Sequence, residues 1–313
     1  MNTNFELLGN RVIDSLNNTD IDTNNKILKS IDKPTIVSGV GGSSVVSEFV
    51  SKVLSDKNNI ITENREPRDC KYKRLTGYSN IIACSYSGNN LGVDLSFDNE
   101  LKHYLLSNNS REDCTNITYK TTIDKEKSFI SLAATLIPIS NILTYYLDGD
   151  KDRVIDIINN YYNKFNFNTD CNAYEIFTGS DTSTVSKYLE STLVESGIGI
   201  PIVHDKYSFC HGRSTIGLEY NNNCIFINTN TKLDKLLLDN IKDHYNEIII
   251  INSDYKDKYE REFDMLIKSM YLTKYIAEAK NKDLTNVEYA DFNKNLYKYN
   301  GEVWLTISWL FFI

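Results

Sequence analysis

Two carboxylates and a histidine are the residues of this chain best suited to chemistry. Glu190 and Glu195 lie on one helix-like stretch, and His211, next to Gly212, follows Glu195 by sixteen residues. The helix expectation rests on Val185, Leu189, Thr192 and Leu193, which recur at i, i+4, i+7 and i+8. Gly197 and Gly199 stop the helix, and Pro201 prevents its resumption. A glutamate at a helix end and a histidine beyond a loop are the minimum kit for moving protons on a small molecule. Taken singly, each also fits a solvated helix charge or a loop histidine. Their weight comes from two stretches earlier in the chain.

Those stretches are Gly39-Val-Gly-Gly-Ser-Ser44 and Ser85-Tyr-Ser-Gly-Asn-Asn90. Each falls where an apolar, strand-like run gives way to helical spacing. Unpaired N–H groups at a helix N-terminus, with the helix dipole behind them, favour an anion. Glycine lets the backbone approach the anion, and serine adds hydroxyl donors. GVGGSS is not the dinucleotide fingerprint GxGxxG and lacks the GK[ST] of a P-loop. One such loop fits a tight strand–helix turn equally well. Two of them, at the carboxyl ends of strands in one α/β sheet, read as a phosphate cradle.

The elements that must position these residues follow a βα alternation. Residues 5–16 and a second short segment to Ile31 read as amphipathic helices. Thr35–Gly41 is an expected strand, 43–54 a helix, 59–63 a strand, 80–87 a strand and 91–106 a helix. Residues 64–74 form a basic connection, 115–119 a further strand, and 129–147 a long apolar helix after Glu126. Residues 148–170 read as helical and polar, ending in an Asn-rich linker. The second half repeats the plan, with strands at 174–179, 200–204, 224–229 and 247–253 and helices at 232–244 and 261–279. Two βα-rich halves imply parallel sheets covered by helices on both faces.

Composition narrows the function classes. At 313 residues, 41% hydrophobic and 24% charged, the chain can bury a full core. The net charge of −8 argues against nucleic acid or an anionic membrane as the main partner. Six scattered cysteines include no CxxC, so no zinc or redox spacing is present. The N-terminus lacks an apolar signal core, which points to a cytoplasmic location. No apolar run reaches the roughly 18 residues of a membrane helix. The apolar stretch Trp304–Ile313 is expected to be buried or at an interface.

Over most of residues 30–280, and in order, the chain resembles the sugar isomerase (SIS) domain family. It is similar in particular to the isomerase half of glucosamine-6-phosphate synthase and to stand-alone phosphosugar isomerases. GVGGSS resembles the family's first-strand GxGxS turn, which implies Ser43 as a phosphate contact. SYSGNN resembles the SxSGxT loop, implying Ser85, Tyr86, Ser87 and Asn90 as phosphate ligands. Glu126 with Ser131 resembles the E-x-x-x-A-S segment that opens the family's long helix and lines the sugar. Glu195 falls on the glutamate that the family uses as base, and His211-Gly212 on its HG motif.

The resemblance implies an α/β fold of two tandem SIS subdomains, each a mostly parallel sheet flanked by helices on both faces. The first would span 1–160 with the N-terminal helices, the second 161–313 with a C-terminal tail. It implies an aldose–ketose isomerase, or an amino-sugar-phosphate deaminase or deglycase, acting on a hexose phosphate without metal or cofactor. Glu195 would be the base, in a buried setting, and His211 would assist ring opening. Arg213 would reach the phosphate or a substrate carboxylate, unless it makes only a surface salt bridge. Because the family's histidine reaches in from the neighbouring subunit, the resemblance implies a homodimer with a shared site. Thr192 stands where the synthase has its imine-forming lysine, Asn90 where threonine is usual, and Arg213 where the synthase has proline. No glutaminase domain precedes residue 30, so glutamine-dependent amination is not expected. A non-catalytic sugar-phosphate sensor and a lyase-type etherase are the alternatives.

Overall fold

The computed structural model describes residues 3–160, 164–216, 220 and 222–287. The apolar stretch 304–313 lies outside them. The chain opens with α1 (Thr3–Glu6), α2 (Leu8–Asn18) and α3 (Ile21–Lys29). The apolar residues that predicted an N-terminal helix, Phe5, Leu8, Val12 and Leu16, are all buried. Five strands then form one parallel sheet in the order β2-β1-β3-β4-β5. They are β1 (Thr35–Ser38), β2 (Thr62–Arg65), β3 (Asn80–Cys84), β4 (Lys102–Ser107) and β5 (Thr115–Thr118). β1 and β3 are buried throughout, whereas β2, at the sheet edge, is the polar run TENR. That contrast is expected of a parallel sheet covered on both faces, with its edge blunted by charge.

A second parallel sheet has the order β7-β6-β8-β9. Its strands are β6 (Ala173–Thr178), β7 (Ile200–Asp205), β8 (Asn223–Ile227) and β9 (Ile248–Ile251). Both sheets reverse direction of growth beside their first strand, so each has a switch point between its first and third strands. The expected α/β architecture of two parallel sheets flanked by helices is the one observed.

One long expectation fails. The apolar spacing of 91–106 reads as a single helix, but α6 covers only Leu91–Phe97 and the remainder is β4. Asn99 is the reason. Its amide donates to the Ser96 carbonyl (2.7 Å) and its Oδ1 accepts from Leu101 N (3.0 Å), closing an Asx turn that ends the helix. The following residues Tyr104, Leu105 and Leu106 are then buried as a central strand. The basic connection contains a short helix, α5 (Pro67–Tyr72), and the segment after 148 is helical only over α8 (Lys151–Asn160).

Four helices lie between the sheets and set the direction of everything at the site. They are α4 (Gly42–Asn58), α7 (Ala133–Tyr146), α9 (Ser183–Glu195) and α11 (Lys258–Ala279). α10 (Lys232–Ile241) packs on the far face of the second sheet, where Leu237 and Ile241 meet Phe177 and Phe226. α4 and α7 run in the same direction: Ser131 lies against Gly42 at their start, and Lys57 Nζ bonds Tyr146 O (3.0 Å) at their end. α9 and α11 run the other way. Ser183, at the start of α9, donates to Glu48 Oε1 in α4 (2.6 Å), and Tyr259, at the start of α11, donates to Asp56 Oδ2 (2.5 Å). Beyond α11, Leu284 O accepts from Phe129 N just ahead of α7 (3.1 Å). The starts of α4 and α7 and the ends of α9 and α11 therefore gather at one end of the four-helix layer.

Glu262 of α11, on the buried side of that layer, is 1% exposed and ion-paired with Lys52 of α4. It also accepts from Thr184 N of α9 (3.0 Å), so one carboxylate ties three helices from both halves.

Candidate functional site

The first sheet brings the two Ser/Gly loops together. Ser38 and Ala83 are register partners on adjacent strands, so Gly39–Ser44 and Ser85–Asn90 leave the sheet side by side at its switch point. Gly39, Val40, Cys84, Asn90 and Gly92 line a common crevice too narrow to hold a water molecule.

Gly42 must be glycine because a Cβ there would stand 2.5 Å from the Ser131 Cβ. The same contact places Ser131 at the first loop, as the sequence motif requires if both touch one ligand. Gly88 has φ +70°, and Ser85 Oγ accepts from Gly88 N (3.2 Å). Ser85 is buried, and Asn90 Nδ2 also donates to its Oγ (3.0 Å). Asn90 Oδ1 in turn caps α6 by accepting from Val93 N (3.1 Å). Ser85 and Asn90 thus hold the loop's shape, whereas Ser87 is exposed and Ser43 half-buried at the start of α4. Tyr86 is half-buried, its hydroxyl accepting from Asn108 Nδ2 (3.2 Å).

Lys125 escaped the sequence reading. Its ammonium lies over the Tyr86 ring, 5.3 Å from the centroid, and adds positive charge beside the second loop. Its place next to Glu126 was the available signal.

Glu126 is buried, and both its oxygens face the start of α7. Oε1 accepts from Leu132 N and Ala134 N (3.0 Å each), and Oε2 from Ala133 N (2.7 Å). Burial pushes its carboxyl above the ordinary value, against the pull of these N–H groups and the Arg11 charge. The free N–H groups of α7 are thereby occupied by the chain's own carboxylate. The start of α4 carries no acidic residue in its first turn. The helix dipole that faces the two loops is therefore free to act on an outside anion. Replacing Glu126 by Gln keeps the volume but turns an NH2 group towards N–H donors. It is expected to lower stability by about 1–3 kcal/mol, read as a lower urea midpoint at unchanged slope. An unchanged midpoint would show that the cap contributes nothing.

Glu195 arrives at the same end because α9 runs opposite to α4. From Ser183, beside Glu48, twelve further residues of α9 rise roughly 18 Å at 1.5 Å each, past the first turn of α4. Tyr188 of α9 is buried. Burial pushes its hydroxyl well above the ordinary value, and the charges of Glu126 and Glu195 both act in that direction. Glu195 itself is exposed, not buried as expected, and accepts from Ser191 Oγ (2.6 Å). Thr192 points into the core at 4% exposure. Glu190 faces a surface groove shared with Val194, Ile200, Pro201, Lys280 and Lys282.

His211 is not brought to Glu195 within the chain. α9 ends at the amino edge of the second sheet, whereas His211 follows the carboxyl end of β7. β7 has six residues, so roughly 17 Å of strand at about 3.3 Å per residue separates the two edges. His211 is exposed in a loop that includes Gly212, at φ +89°. Arg213 turns back on its own strand: Nε donates to His204 Nδ1 (3.0 Å) and Nη2 to Val203 O (2.9 Å). His204 Nε2 meets Glu175 Oε2 (2.9 Å), and both residues are buried. No spacing in the sequence links Glu175, His204 and Arg213, which meet only because β6 and β7 pair. Among the described residues no group of three or more His, Cys, Asp or Glu side chains could hold a metal ion, and no helix is long and apolar enough to cross a membrane.

No family model matches the sequence. None of the curated proteins matches it either. Solved structures do match. Tagatose-6-phosphate ketose/aldose isomerase from Escherichia coli aligns at 12% identity with a TM-score of 0.71, covering 92% of this chain and 95% of that one. The C-terminal domain of glucosamine-fructose-6-phosphate aminotransferase from Francisella tularensis aligns at 12% identity and TM-score 0.69, covering 90% and 94%. Glucosamine-6-phosphate deaminase from Thermotoga maritima aligns at 11% identity and TM-score 0.67, covering 87% and 97%. At such identities the likeness is one of fold, two parallel sheets flanked by helices.

Proposed function

We propose that this chain is a phosphosugar-processing enzyme that moves a proton between adjacent carbons of an opened hexose phosphate. Aldose–ketose isomerisation is the first reading, and amino-sugar-phosphate deamination or deglycation is the closest variant of the same chemistry. The observation that carries it is the meeting of both Ser/Gly loops at the start of α4, with α9 delivering a carboxylate to the same end. The phosphate sits on Ser43, Ser87 and the α4 N-terminus, on a loop shaped by Ser85, Tyr86 and Asn90, with Lys125 adding charge. Ser131 and the remaining lone pair of Glu126 face the sugar. Glu195 carries the proton through a cis-enediol.

His211 comes from a second copy of the chain and assists ring opening. The separation of His211 from Glu195 in one chain supports that assembly. It also gives the exposed Glu195 a partner surface to be buried against. The division into a first subdomain ending near residue 160 and a second one after it belongs to the same reading. The structures of similar fold, whose names include an isomerase and a deaminase of sugar phosphates, support the substrate class.

A thermal-shift panel of sugar phosphates, followed by product analysis in D2O, tests the reading. A hexose phosphate should stabilise the protein and gain deuterium at C2. Ser87→Ala is expected to weaken that ligand by about 1–3 kcal/mol, the loss of a hydrogen bond to a charged group. Binding with no exchange for any ligand would favour the second reading, a sugar-phosphate sensor, for which the inward-facing Thr192 is the supporting observation.

A further inference from the structure

We propose that His204 is a positioning residue that holds the His211 loop through Arg213, and that protonation of His204 releases the loop. The loop has two anchors. At its start, Asp205 Oδ1 accepts from Tyr207 N (3.0 Å) and Ser208 N (2.9 Å), a backbone turn that stays formed while the carboxylate is ionised. At its far side, Arg213 reaches back to His204 Nδ1 and to the Val203 carbonyl.

The second anchor depends on one lone pair. A guanidinium has donors and no acceptor, so His204 Nδ1 must be the acceptor and carry no proton. The ring proton then sits on Nε2 and is donated to Glu175. A proton added at Nδ1 removes the acceptor and sets an imidazolium against the guanidinium. The two cations would then repel at hydrogen-bond distance within a buried site. His204 is 1% exposed and Glu175 0%, so water does little to screen that repulsion.

The other groups around His204 do not change charge near neutral pH. Glu175 also accepts from Asn222 Nδ2 (2.9 Å) and Tyr245 OH (2.7 Å). Burial works to raise its carboxyl, but the bonds from His204, Asn222 and Tyr245 outweigh it, and the carboxyl lies below the ordinary value. Burial raises both the Tyr245 hydroxyl and the Cys224 thiol, which keeps them neutral. Phe177 and Phe209 pack against the His204 ring at centroid distances of 5.2 and 5.1 Å and bring no charge.

The anchor stands on geometry alone. Its effect on turnover rests on the role proposed above for His211. The test is hydrogen–deuterium exchange of residues 206–216 in the full chain at about pH 8 and pH 5.5, corrected for intrinsic rates. In the wild type, exchange of this loop is expected to rise about tenfold at the lower pH, with β8 unchanged. His204→Asn, whose amide oxygen falls where Nδ1 does, keeps an acceptor that does not titrate and should stay protected at both pH values. His204→Phe keeps the aromatic packing, lacks the acceptor and should be unprotected at both. Equal exchange at the two pH values in the wild type, or a His204→Asn loop that opens with acid as the wild type does, overturns the proposal. If the loop opens as expected while no phosphosugar ever exchanges deuterium, the anchor stands and the enzymatic reading falls. If turnover is found and its acid limb is unchanged in His204→Asn, the anchor does not position His211 for reaction.

Discussion

Glu195→Gln is expected to lower turnover by ~10²–10⁴ while leaving phosphosugar affinity nearly intact. The substitution keeps the shape of the side chain and removes the proton acceptor. Glu195 ends α9 at the pole where α4 and α7 begin, and its charge reaches the same buried Tyr188 hydroxyl as that of Glu126. Glu190 is the control. Five residues earlier on the helix, it is rotated by ~140° from Glu195 and faces the groove beside Lys280 and Lys282 instead. Glu190→Gln should therefore change turnover less than about threefold. The measurement is deuterium incorporation at C2 of the bound phosphosugar. Exchange at the wild-type rate in Glu195→Gln would remove Glu195 as the base. Equal losses in both variants would point to a disturbed helix rather than to a missing acceptor.

The second large effect concerns the distance between Glu195 and His211. Within one chain they lie at opposite edges of the second sheet, separated by the length of β7. If each site draws its glutamate from one chain and its histidine from a twofold-related copy, Glu195→Gln and His211→Ala should each be nearly inactive alone. Mixed by co-folding, they should recover about one quarter of wild-type turnover, because half of the dimers are mixed and each of these holds one intact site. Sedimentation of the mixture should show a dimer. A mixture no more active than its parents would place both residues in one chain's site, or exclude one of them from the reaction. A monomer with full turnover would have the same consequence.

The sequence on its own determined the βα alternation of both halves and the parallel sheets. It also gave the loops that end β1 and β3 and the helix that ends at Glu195. Those features are local, set by apolar period, by glycine at strand ends and by the glycine–proline stop after α9. It misplaced β4, because an apolar run after Phe97 fits either element until Asn99 closes its turn. Direction was decided only in three dimensions. The opposed courses of α4 and α9 bring Glu195 to the end of the helix layer where the two Ser/Gly loops lie, and the parallel pairing of β6 with β7 carries His211 away from it. Partnership was likewise out of reach. Nothing in the sequence shows that three backbone N–H groups of α7 close on Glu126, or that Arg213 bonds to His204. The physical reason is the same for both. A charged side chain near a helix end or a strand edge has several partners within reach, and the fold selects among them through residues distant in sequence, as Glu175 on β6 does for His204 on β7.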